Sequence, residues 1–110
     1  MQMSVKTAND VKVLDFEGKL DSQASPDAQS QLTRLVEEGA TKILVNFDKL
    51  DYVSSAGLHV LLATAKQLKV ENGELRICCL NDIVKEVFDI SGFITIFKVF
   101  ASVSEALDDF

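Results

Sequence analysis

The chain has no tryptophan, one proline, one histidine, five glycines and two cysteines in 110 residues. So little proline and glycine exclude a linker or a low-complexity disordered chain. The cysteines are neighbours, Cys78 and Cys79. Adjacent strand residues point to opposite faces, so a bond between the two is geometrically awkward, and there is no third thiol to pair with. They read as two small hydrophobes in a strand, a usage that suits a reducing compartment. One histidine, two adjacent thiols and scattered carboxylates do not make a metal-ligand set. The Asp48/Asp51 pair is at best a weak hard-cation site, and Asp108-Asp109 reads as a solvated end. No run of Lys/Arg occurs and the net charge is −6. An acidic domain repels both a nucleic-acid backbone and an anionic membrane surface. No apolar run approaches the roughly 18 residues of a membrane span, and residues 1–10 lack the apolar core of a signal peptide. These absences predict a cytoplasmic protein with no nucleic-acid, membrane, metal or cofactor partner.

What is present fits one domain over residues 1–110. Hydrophobic residues at 47% and charged residues at 25% are ordinary globular values, and a domain of this size buries roughly two thirds of its unfolded surface. Alternating apolar residues predict strands over 4–6 and 11–17, joined by a hairpin across Ala8-Asn9-Asp10. Ser25-Pro26-Asp27 reads as a helix start, with Ser25 as N-cap and Pro26 in the first turn. Ala28, Leu32, Leu35 and Val36 form that helix's apolar stripe, and Gly39 ends it. The nearly continuous apolar run 42–47 predicts a central strand buried on both faces. A second helix follows over 55–68, with Leu58, Leu61, Leu62, Ala65 and Leu68 facing inward. A turn at Glu71-Asn72-Gly73, a strand over 75–80 and a helix capped by Asn81 and ending near Gly92 come next. Residues 94–100 read as a last strand on their β-branched and aromatic content. Ser102 to Glu105 form a capping box for a short final helix. Alternating strands and helices give an α/β class, with a mixed, mostly parallel sheet of four to five strands and about four helices.

The segment Tyr52-Val53-Ser54-Ser55-Ala56-Gly57-Leu58 carries the most information. It sets two hydroxyls at the mouth of a helix, where unpaired N–H groups and partial positive charge receive anions. A serine nucleophile elbow would need a glycine two residues before the serine, which is missing, and His59 lies on the same helix as Ser55 rather than arriving from elsewhere. Gly-rich nucleotide-binding signatures are absent. The acidic pair that an aspartyl-phosphate receiver needs after its first strand is also absent. Ser54 and Ser55 therefore remain either plain helix caps or acceptors of a modification, and the small Ala56 and Gly57 beside them allow another protein to approach closely.

At this point the chain resembles the STAS domain family of anti-sigma factor antagonists. The segment from Ser54 to Leu58 is similar to that family's Asp-Ser-x-Gly-Leu signature, and Gly18-Lys19-Leu20-Asp21 to its Gly-x-Leu-Asp. Order, spacing and total length agree along nearly the whole chain. The resemblance implies a regulatory binding protein rather than an enzyme. In the family, the unphosphorylated form binds an anti-sigma factor that is itself a serine kinase, phosphorylation of the signature serine breaks that contact, and a protein serine phosphatase restores it. Carried over by position, the acceptor is Ser55, with Ser54 second to it. The partner-binding set is Asp21, Val53, Ser54, Ser55, Ala56, Gly57 and Leu58. The chain departs from the pattern at Ser54 and Asn46, where the family often has Asp. These departures keep open an alternative, a non-phosphorylated STAS adaptor or scaffold subunit of a transporter or signalling assembly.

Overall fold

The computed structural model describes residues 1–108 and 110; of the Asp108-Asp109 pair, Asp109 thus lies outside the described residues, while Asp108 is exposed. Strands β1 (Gln2–Ala8) and β2 (Val11–Leu20) form an antiparallel hairpin, and β3 (Lys42–Val53), β4 (Glu74–Cys78) and β5 (Lys98–Phe100) follow in parallel. The strands lie in the order β1-β2-β3-β4-β5. Between them come α1 (Ser25–Glu37), α2 (Ser55–Val70) and α3 (Asp82–Ser91), and α4 (Val103–Leu107) follows β5. The mixed, mostly parallel five-stranded sheet with four α-helices is the class the sequence predicts.

The hairpin loop is two residues, with Asn9 and Asp10 both at positive φ (52° and 67°). That is the left-handed conformation that a primed two-residue turn requires and that Asn and Asp tolerate best. β3 is the middle strand, and it is longer than the apolar run 42–47 suggests. It continues through Asp48 and Asp51 to Val53 because β2 continues beside it to Leu20, with register shifts after Asp15 and Gly18. Leu50 and Val53 keep the inward face apolar along this extension.

The sheet's inner face, with Leu14, Phe16, Val45, Phe47 and Ile77, packs against Leu32 of α1, Leu61 and Leu68 of α2, and Val84 and Phe88 of α3. Phe16, Phe47, Phe88 and Phe97 form a chain of ring contacts through this core, at 5.6, 6.4 and 6.0 Å. Val11, Val13, Leu44 and Cys78 point to the outer face and are covered by Ala106 of α4, with Phe100, Val103 and Phe110 around it. Arg76 pins this cover. Its Nη1 donates to the carbonyls of Ala106 and Asp108, both at 2.9 Å, and its guanidinium lies over the Phe100 and Phe110 rings. Glu74 pairs with Arg76 and with Lys98. Partial burial pushes the Glu74 carboxyl up, but the two cations outweigh it and hold the group below its ordinary value.

Three sequence expectations are corrected. Residues 94–97 are not strand: Gly92 ends α3 in the left-handed region, Phe93–Thr95 is a 3-10 turn, and only Lys98–Phe100 pairs with β4. Packing of Phe97 against Phe88 and Phe93 outweighs the β preference of the segment. β4 stops at Cys78 instead of continuing to residue 80, because Cys79 turns to φ 67°. Ser25 is not the N-cap of α1 but its buried first residue. The cysteines are free, as expected. Burial, the neighbouring Cys79 and the Asp15 and Asp48 carboxylates push the Cys78 thiol well above the usual range.

Candidate functional site

The two predicted motifs meet where β2 and β3 end side by side. Leu20 and Val53 are register partners, and the Ser54 N–H donates to the Leu20 carbonyl at 2.9 Å. This bond fixes where β3 stops. Ser54 is still extended (φ −91°, ψ 172°), and its Oγ accepts from the Gly57 N–H at 3.2 Å. Its own carbonyl accepts from Leu58 N, the first intrahelical bond of α2. Ser54 is thus the N-cap, with its hydroxyl already engaged in holding the first turn.

Ser55 begins the helix proper and is exposed. Helix geometry leaves the N–H groups of Ser55 and Ala56 without intrahelical partners. No acidic residue occupies the first turn, so nothing there opposes the partial positive charge of the helix start. His59, one turn on, is exposed, and its Nδ1 lies 2.8 Å from the Ser55 carbonyl. Because that oxygen only accepts, Nδ1 carries the proton. A shallow groove of about 530 Å³ runs from this point along α1 and α2, lined by Gln29, Ala56, His59, Val60, Ala63 and Lys66.

Two of the predicted partner-binding side chains face the core, Leu58 in keeping with its place in the inward stripe of α2 and Val53 against the expectation of an outward contact. Val53 is fully buried and Leu58 nearly so, so they hold the helix start from below and offer no outward surface. Gly57 is also buried. The sequence reads it as a gap left for a partner, but its role is internal. A Cβ there would stand 2.7 Å from Leu20 Cγ, 2.8 Å from the Leu20 carbonyl oxygen and 2.9 Å from Val53 Cγ2. Only glycine lets α2 start this close to the end of β2. Leu20, missed as a site residue, is therefore the seat of the helix; its signal is its place in Gly18-Lys19-Leu20-Asp21.

Asp21 lies next to the site but is committed to α1. Its Oδ1 accepts from the N–H groups of Gln23 (3.1 Å) and Ala24 (3.0 Å), while its carbonyl accepts from Ser25 Oγ (2.6 Å). Asn46 is not a neighbour of Ser55. It lies on the sheet's outer face, where its Nδ2 donates to Asp15 Oδ1 at 2.7 Å and its Oδ1 accepts from the Asp48 N–H. The missing acid at that position therefore removes no charge from around Ser55. Among the described residues no group of three or more His, Cys, Asp or Glu could hold a metal ion, and no helix is long and apolar enough to cross a membrane.

A single α/β domain built around a serine turn between β3 and α2 is the STAS architecture. The STAS domain profile matches residues 2–106, and the chain belongs to that family. It is 36% identical over 99 residues, covering 90% of this chain and 85% of the relative, to BtrV of Bordetella bronchiseptica, whose name places it among anti-sigma factor antagonists. The fold superposes with a TM-score of 0.93 on TM1081 of Thermotoga maritima, at 19% identity and covering 97% and 92% of the two chains. It also matches the phosphorylated form of the Bacillus cell-fate determinant SpoIIAA, with a TM-score of 0.76, 23% identity and 97% of each chain covered.

Proposed function

We propose that this chain is a regulatory binding protein, an anti-sigma factor antagonist whose contact with an anti-sigma serine kinase is broken by phosphorylation of Ser55 and restored by a protein serine phosphatase. The observation that carries this is the division of labour between neighbouring hydroxyls. Ser54 is engaged as the cap, whereas the Ser55 hydroxyl is not the cap and its residue is exposed. A phosphate at Ser55 adds about −1.5 to −2 charge and three acceptor oxygens. The helix start offsets part of that charge, worth about 0.3–1 kcal/mol, so the domain stays folded. A partner surface seated over the turn does not have this tolerance, because an uncompensated charge in a desolvated contact costs several kcal/mol. About 5.5 kcal/mol moves a complex from almost wholly bound to almost wholly free. The relatives named as antagonists support the partner class, and the phosphorylated SpoIIAA structure supports a phosphoprotein with this fold.

The test is incubation with ATP and an anti-sigma serine kinase from the same organism, followed by mass spectrometry and calorimetry. Phosphate is expected on Ser55. Ser55→Asp is expected to bind the kinase at least about tenfold more weakly than Ser55→Ala. Equal affinity of the two variants with no phosphate on Ser55 would overturn the switch. Kinase-independent binding to a larger assembly would instead favour the adaptor reading, which the neutral Ser54 in place of an acid also suits.

A further inference from the structure

α3 buries Val84 and Phe88 and presents a second stripe, Ile83, Val87 and Ile90, beside them. Spacings of four and three residues put these along one line of the helix. Ile83 is 61% and Ile90 80% exposed, and Val87 is partly covered. Around the stripe stand the exposed acids Asp82, Glu86 and Asp89 against a single exposed cation, Lys85. The first turn of this helix is tied to the strand that leads into the serine turn. Asn81, the cap of α3, donates from Nδ2 to the Leu50 carbonyl at 2.8 Å. Just beyond Leu50 are the exposed Asp51 and Tyr52. α2 and α3 both leave the C-terminal end of the parallel strands; β4 stops level with Asn46, short of Val53, and the Asn81–Leu50 bond carries the first turn of α3 on toward the serine turn.

We propose that the outer stripe of α3 is a second contact for the partner that docks at Ser55, met by an apolar surface flanked with lysine or arginine. This rests on the reading of the chain as a kinase-binding antagonist. Charge selects the occupant. Two copies of α3 face to face would set three acids against three, with one lysine on each side, and like charges at such distances repel. A basic surface gains at the same positions.

The experiment measures the affinity of the full chain for the kinase that phosphorylates it, with sedimentation run in parallel. The double variant Ile83→Asp/Ile90→Asp is expected to bind at least about tenfold more weakly with an unchanged melting temperature, because both side chains are exposed. Val70→Asp, at a residue 81% exposed on the last turn of α2, is the control and is expected to bind as wild type. Glu86→Lys is expected to weaken binding about threefold and to flatten its dependence on salt. If the double variant binds as wild type while Ser55→Asp still weakens binding, the α3 contact is refuted and the switch stands. If the wild-type chain binds no such kinase, both fall. A dimer that the double variant dissolves would make a second copy the occupant and also overturn the proposal.

Discussion

Ser25 and Ser55 each open a helix at its first residue, yet one is buried and the other lies in solvent. The difference comes from what precedes them. Ahead of α1 the chain folds back over Asp21, whose carboxylate takes two backbone N–H groups and whose carbonyl takes the Ser25 hydroxyl. Ahead of α2 the chain arrives extended, Ser54 caps the turn itself, and the next hydroxyl is turned outward. When the turn ahead of the helix takes up the serine hydroxyl, as the Asp21 carbonyl does for Ser25, the first helical serine is absorbed into the fold. When capping is done by the adjacent residue, the first helical serine is left free. The availability of a hydroxyl for modification is set by which neighbour satisfies the helix, not by its position in the helix.

Substitutions can break this comparison in graded steps. Gly57→Val is expected to cost the most, about 3 kcal/mol, because its side chain must displace Leu20 and Val53; a melting temperature lower by roughly 10–20 °C would be the sign. Asp21→Ala removes the acceptor of two N–H groups at the α1 entrance and is expected to cost about 2 kcal/mol, read by urea titration. Ser54→Ala removes the α2 cap and is expected to cost about 1 kcal/mol. Ser55→Ala is expected to change stability by less than about 0.5 kcal/mol. A loss at Ser55 equal to that at Ser54 would mean that the two hydroxyls share the structural role and would erase the contrast.

Much of the fold was legible in the chain because local signals agreed with the global arrangement. The Asn9-Asp10 turn, the Asn81 and Ser102 caps and the Gly92 stop each carry their own chemistry. The end of β3 was not legible. Residues 48–52 are polar at three positions, and they remain strand only because β2 runs alongside. Residues 94–97 were misread because an aromatic stacking partner, Phe88, is invisible to local propensity. Ser54 and Ser55 were both placed at the helix mouth from sequence. Leu58 is buried, as its place in the inward stripe predicts, whereas Gly57 and Val53 gather at the turn through the motif but face inward, since a motif shows which residues gather and not which way each one points. Asp21, in the partner-binding set by resemblance, lies beside the serine turn while its carboxylate serves the entrance to α1, a commitment that no motif reveals.

The strands lie across the sheet in the sequence in which they occur along the chain. No strand has to be threaded between two that are already paired. A polypeptide leaving the ribosome can therefore add each one to the growing margin, and every new pairing closes only the short crossover just made. The pairing of the second and third strands, which seats the modifiable turn, forms before the last two strands are needed. The final three-residue strand has one neighbour only, so amide exchange is expected to begin at that margin and to reach the central strands last.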